Sequence, residues 1–106
     1  MFAEDGSEPV LSRRVTVNLA EGLHVRPIAM IVDVVNDGGV PVLIRFGEKE
    51  VEANSQLNLM LLAAPQGSEL EILSDGEGAD RVLDQLENLF LTNFEVEGTT
   101  ESGPVQ

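Results

Sequence analysis

Hydrophobic and polar residues alternate in four short segments of the chain, which is the pattern of half-buried β-strands. The four segments are residues 13–19, 40–46, 49–53 and 68–74. In the first of them Val15, Val17 and Leu19 share one face. The Gly47-Glu48 pair between the second and third segments predicts a β-hairpin.

Three other segments have the spacing of amphipathic helices. The first begins near Pro27 and stops at Gly38-Gly39, because proline suits the first helical position and glycine suits the residue after the last. The second is short, begins after a cap at Asn54 or Ser55, and ends before Pro65-Gln66-Gly67. The third, after the turn at 75–78, has the clearest apolar face. That face consists of Val82, Leu83, Leu86, Leu89 and Phe90.

The element order β-α-β-β-α-β-α predicts an α+β fold, with a four-stranded antiparallel sheet and three helices on one face. A single domain is expected over residues 12–92, between a flexible acidic tail at 1–11 and a flexible polar tail at 93–106. The predicted core consists of Val15, Val17, Ile28, Ile31, Val35, Val42, Ile44, Leu59, Leu62, Leu70, Ile72, Val82, Leu86 and Leu89.

Charge and composition exclude several classes of function. The 106 residues carry a net charge of −13, so the chain lacks the basic surface that nucleic acids and anionic membranes require. The absence of cysteine excludes disulfides and thiolate chemistry. No cluster of metal ligands and no glycine-rich phosphate loop is present, so neither metal nor cofactor is expected. An acidic amino terminus favours a cytoplasmic protein, and the size favours a monomer.

His24 is the only histidine, and a lone histidine is most often an ordinary surface or packed residue. Here it lies between a predicted strand and a predicted helix, three residues before Pro27. Free peptide N–H groups at a helix amino terminus bind anions, and Arg26 can neutralise a bound anion. A neutral imidazole in that position can act as a nucleophile toward a phosphoryl group.

The segment Gly22-Leu23-His24-Val25-Arg26-Pro27 resembles the active-site signature of HPr, the histidine phosphocarrier of the bacterial phosphoenolpyruvate:sugar phosphotransferase system. The resemblance extends over about residues 12–91 and implies the open-faced sandwich of that family. Ser55 falls where many members carry a regulatory serine. Its alternative role is that of an N-cap.

The resemblance implies that His24 accepts a phosphoryl group from enzyme I and passes it to a sugar-specific enzyme IIA. Arg26 would stabilise its charge, and the backbone N–H groups of Val25 and Arg26 would contact its oxygens. An HPr kinase/phosphorylase would act on Ser55. The protein would be a carrier and not an enzyme. The implied partner-docking residues are Val25, Ile28, Gln56, Leu57 and Met60.

The chain departs from the family pattern around this surface. Val25 and Ile28 replace the usual alanines, and Gln56-Leu57-Asn58 replaces the usual apolar-apolar-Gly sequence after the serine. Positions that are often lysine in the family are Asp33, Asn36, Asn54 and Asn58. Two alternatives therefore stay open: a regulatory HPr-like module that docks on a non-transport partner according to its phosphorylation state, and a plain interaction domain in which His24 is a loop residue.

Overall fold

The computed structural model describes residues 10–95, and the remainder of both predicted tails lies outside this range. Seven elements follow one another in the predicted order. They are β1 (Leu11–Thr16), α1 (Val25–Gly38), β2 (Val42–Phe46), β3 (Lys49–Glu52), α2 (Gln56–Leu62), β4 (Glu69–Ser74) and α3 (Ala79–Leu91). Within residues 10–95 no helix is long and apolar enough to cross a membrane.

The four strands form one antiparallel sheet in the order β1-β4-β2-β3. On its outer face, one row of paired residues runs across all four strands as Arg14, Glu71, Arg45 and Glu50. Arg45 bonds Glu50 at 2.9 Å and Glu71 at 3.1 Å, and the hydrogen bond with Glu50 contributes most to raising the pKa of Arg45. The sheet face opposite the helices therefore carries a row of alternating charge, which favours this strand register.

The three helices cover the other face of the sheet, as predicted. Thirteen of the 14 predicted core residues are buried, and Leu89 is partly buried against them. Arg13 lies in register with Ile72 on this helix-covered side, at the sheet edge. It reaches α3, where it bonds Asp84 at 2.9 Å and pairs with Glu87 at 3.4 Å. The negative charge of Asp84 and Glu87 on α3 is thus partly neutralised.

Several predicted boundaries differ from the structure. β1 includes Leu11, which the sequence analysis placed in the tail, and it ends at Thr16. α1 begins at Val25, so Pro27 is its third residue and not its first. Proline at the third position removes no helical hydrogen bond, because the N–H groups of the first helical turn have no partner within the helix in any case.

The packed region also extends beyond the predicted limit at residue 92. Phe94 is only 1% exposed, and its ring meets Phe90 edge-on with centroids 4.8 Å apart. Asn93 and Phe94 both adopt positive φ angles, of 55° and 62°, which turn the chain back onto the core. The predicted flexible tail therefore begins with two ordered residues, because a buried aromatic ring outweighs the local polar composition.

Candidate functional site

The loop before α1 is held by the loop that follows α2. Leu23 N–H donates to the carbonyl of Ala64 at 2.9 Å. Gly22 has a φ of +72°, and a Cβ atom there would lie 2.6 Å from the same Ala64 oxygen. Only glycine allows this close approach at a positive φ. The glycine in the motif therefore fixes where His24 enters the helix.

His24 is the N-cap residue of α1, and its carbonyl accepts the first helical hydrogen bond from Ile28 at 3.0 Å. Its side chain makes no capping hydrogen bond. Because Pro27 has no N–H, the backbone donors of the first turn are those of Val25 and Arg26. These two N–H groups lie at the positive end of a 14-residue helix, next to the imidazole.

The imidazole of His24 is 39% exposed and therefore accessible to another protein. Its Nε2 lies 3.8 Å from a carboxylate oxygen of Glu21, which is an ion-pair distance for a protonated ring. Neither ring nitrogen has a hydrogen bond to another residue within 10–95. Glu21 is absent from the site residues predicted from the sequence, although it stands only three residues before His24. Nε2 thus faces a carboxylate, while Nδ1 has no hydrogen-bond partner within residues 10–95.

Arg26 lies away from the position that the resemblance implies. Its Nη1 donates to the carbonyl of Phe94 at 3.1 Å and to the sulfur of Met30 at 3.4 Å. Met30 is one turn further along α1, so the guanidinium points away from the amino terminus of the helix. The structure brings Val25 and Arg26 backbone N–H groups to His24, but not the Arg26 side chain. In the described residues the Arg26 guanidinium is bonded to Phe94 and Met30 and makes no hydrogen bond to His24.

Ser55 has a clear structural role. It is the N-cap of α2, and its Oγ accepts a hydrogen bond from Asn58 N–H at 3.2 Å. The N-cap alternative of the sequence analysis is therefore present in the structure, and its usual contribution is about 1 kcal/mol. Of the two cap candidates, Ser55 and not Asn54 performs the role.

An exposed apolar patch lies on α1 and α2. Val25, Leu57 and Met60 are 63%, 68% and 50% exposed, as partner docking requires, and Gln56 is exposed as well. Leu61, which the predicted docking set omits, belongs to the patch because it is 61% exposed. We call Val25, Leu57, Met60 and Leu61 the apolar patch.

Ile28 was wrongly assigned to the docking surface. Only 1% of it is exposed, and it packs in the main core below α1. The reason is helical geometry, because Ile28, Ile31 and Val35 follow one another at spacings of three and four residues on the buried face. An isoleucine in that register fills the core and cannot touch a partner.

Comparison with known proteins identifies the family. A family model described as the PTS HPr component phosphorylation site matches residues 11–92. Phosphocarrier protein HPr of Streptomyces coelicolor is 40% identical over 84 residues, which cover 78% of this chain and 90% of that protein. The crystal structure of a phosphocarrier protein HPr from Bacillus anthracis has a TM-score of 0.72 and 32% identity, covering 76% of this chain and 96% of that one.

A relative with a different name also matches. The HPr-like protein Crh of Bacillus subtilis is 32% identical over 77 residues, which cover 73% of this chain and 91% of that protein. The fold is thus shared by carriers and by at least one protein named only as HPr-like. With the family model spanning nearly all of the described residues, this chain belongs to the HPr family of phosphocarrier proteins.

Proposed function

We propose that the protein accepts a phosphoryl group on His24 from phosphorylated enzyme I and passes it to a sugar-specific enzyme IIA. The observation that supports this most directly is the arrangement at the start of α1. An accessible imidazole without hydrogen bonds within residues 10–95 lies beside the backbone N–H groups of Val25 and Arg26. The ring supplies a lone pair, and the N–H groups supply donors for the oxygens of the incoming group.

The transfer moves the phosphoryl group from the donor to His24. The lone pair of Nδ1, the nitrogen that the resemblance implies, attacks the phosphorus, and the bond between the phosphorus and the donor breaks with its electron pair left on the donor. The proton on Nε2 of His24 stays in place, and the phosphorylated ring then carries positive charge near Glu21, whose carboxylate lies 3.8 Å from Nε2. The reverse exchange on enzyme IIA restores the neutral ring.

Arg26 is the group that we expect to change position. In the unphosphorylated protein its guanidinium is bonded to the Phe94 carbonyl, which is a neutral acceptor. A phosphoryl group carries negative charge and attracts a guanidinium more strongly than a carbonyl does. Rotation of this side chain toward His24 would therefore accompany phosphorylation.

The apolar patch is the surface on which we expect both partners to dock. It consists of Val25, the residue after His24 at the start of α1, and three exposed side chains of α2. Asp33, Asn54 and Asn58 stand where the family often has lysine, so steering by charge would be weak. We therefore expect association that depends little on ionic strength, and we expect it to take place in the cytoplasm.

A regulatory module is the second candidate function. It is favoured by the loss of docking lysines and by the similarity to the HPr-like protein Crh. In this case phosphorylation of His24, or of Ser55 by an HPr kinase/phosphorylase, would decide which non-transport partner binds. A phosphorylated serine at a helix amino terminus keeps acceptor oxygens for the N–H groups, so α2 would survive the modification.

Intact mass after incubation with phosphoenolpyruvate and enzyme I from the same organism tests the proposal. The wild-type protein should gain about 80 Da in an acid-labile form, and the His24→Ala variant should gain nothing. Ser55→Ala is the matched control and should gain the same mass as wild type. A folded wild-type protein that acquires no adduct from an active enzyme I would exclude the carrier function.

The two candidate functions differ in the next step. If the protein is a carrier, adding enzyme IIA proteins to its phosphorylated form should transfer the phosphoryl group to them, and the added mass on His24 should disappear. An adduct that is formed but withstands every enzyme IIA of the organism would favour the regulatory module. Removal of the adduct would establish the transport route.

A further inference from the structure

Lys49, the only lysine of the sequence, is not used by the function described so far. It is the first residue of β3, and its ammonium reaches the carboxyl end of α2. Nζ lies 3.3 Å from the carbonyl of Leu61 and 3.4 Å from that of Leu62. These are two of the last carbonyls of the helix, which have no partner within the helix itself.

Besides Lys49, the end of α2 has one backbone capping bond, from Ala63 N–H to the carbonyl of Met60 at 3.1 Å. Its C-cap is Ala63 in the left-handed conformation, with a φ of 50°, a position that favours glycine. The last turn of α2 contains no basic residue of its own. A cation at this end interacts favourably with the partial negative charge of the helix carboxyl terminus. Lys49 supplies that cation from a neighbouring strand.

The segment that Lys49 holds is also the support of the functional site. Ala64, two residues after Leu62, accepts the hydrogen bond from Leu23 N–H that fixes the loop before His24. Met60 and Leu61, in the same last turn, are members of the apolar patch. A shift at the end of α2 therefore reaches both the histidine loop and the docking surface.

We propose that Lys49 is a positioning residue for phosphoryl transfer. By binding the last carbonyls of α2, its ammonium sets the position of Ala64 and hence of the His24 loop. It also sets the orientation of Met60 and Leu61 toward a partner. Lys49 itself touches neither the reacting atoms nor the phosphoryl group in this arrangement. The functional half of this inference rests on the proposed carrier function, while the structural half does not.

Lys49→Met tests the inference, because methionine keeps much of the aliphatic stem and removes the charge. Lys49→Arg restores a cation and is the conservative rescue. Arg81→Met changes the net charge by the same amount at the start of α3, where the guanidinium has no hydrogen bond or ion pair within residues 10–95. Comparison of these three variants distinguishes an effect of the cation at position 49 from an effect of the net charge of the protein.

Amide hydrogen exchange measures the structural effect without any partner. Exchange at Leu23 and Ala63, whose N–H groups bond Ala64 and Met60, should be about two- to fivefold faster in Lys49→Met. Lys49→Arg should return it to the wild-type rate, and Arg81→Met should leave it unchanged. Equal exchange in wild type and Lys49→Met, or failure of arginine to rescue, would overturn the inference.

Steady-state transfer from enzyme I measures the functional effect. The KM for the protein as phosphoryl acceptor should rise about two- to fivefold in Lys49→Met while kcat stays within about twofold, with the same rescue by arginine. An unchanged KM together with faster exchange would disprove the functional half. If wild type accepts no phosphoryl group at all, the carrier function fails, and hydrogen exchange alone decides whether Lys49 positions the loop.

Discussion

The two candidate phosphorylation sites, His24 and Ser55, are both N-cap residues of helices, yet their side chains are engaged differently. Ser55 Oγ accepts the hydrogen bond of Asn58 N–H and so completes its helix. The His24 imidazole makes no capping bond, and its helix keeps free donors. The comparison shows that a helix start can use its N-cap side chain for stability or leave it available for chemistry.

The cause of the difference lies in what holds each helix start in place. α2 has seven residues and depends on its own cap, whereas α1 has 14 residues and a long buried face. The entry to α1 is held instead by Gly22 and Leu23 on the Ala64 carbonyl. Because the loop already fixes the start of α1, the side chain of His24 is not needed for that purpose.

Gly22→Ala should have the largest effect among the tests of this comparison. The added Cβ would meet the Ala64 oxygen at 2.6 Å in a backbone conformation that alanine disfavours, so we expect a loss of about 3 kcal/mol or more in the free energy of unfolding. Urea denaturation measures it. Gly39→Ala is the matched control, since Gly39 has a φ of +73° but no atom within 4 Å of the added Cβ.

Gly39→Ala should cost about 1 kcal/mol, the strain of the backbone alone. The difference between the two glycine variants is then the contribution of the close contact under the His24 loop. Equal losses in both variants would show that the Ala64 contact does not fix the start of α1.

Ser55→Ala should have the next largest effect. Loss of the cap should lower the free energy of unfolding by about 1 kcal/mol, because the N–H of Asn58 loses its acceptor. Ser55→Asp, which retains a capping oxygen, should stay within about 0.5 kcal/mol of wild type in the same denaturation experiment. A stable Ser55→Ala variant would remove the structural explanation for this serine.

His24→Ala should have the smallest effect on stability. The imidazole makes no capping bond and is partly exposed, so the free energy of unfolding should change by less than about 0.5 kcal/mol. Thermal and urea denaturation beside wild type measure the change. A loss as large as that of Ser55→Ala would mean that His24 also supports its helix, and the contrast between the two caps would disappear.

Local pattern was sufficient to predict much of this molecule. Alternation and helical spacing gave the order of all seven elements, and the motif from Gly22 to Pro27 singled out His24. One error concerns Ile28, which the helical spacing placed in the core and the family resemblance placed on the docking surface. Ile28 and Val25 are close in sequence, yet helical rotation buries the first and exposes the second. The motif alone gives no information about which side of the helix faces the core.

Local preferences are encoded in the order of the residues: which segments alternate, where glycine and proline end them, and which histidine is a candidate phosphoryl acceptor. The long-range partners arise only when the chain packs. Arg26 bonds the carbonyl of Phe94, which is 68 residues away, and Lys49 bonds the end of α2. These contacts depend on how helices and strands pack around a shared core, and a carbonyl acceptor carries no sequence signal because every residue has one.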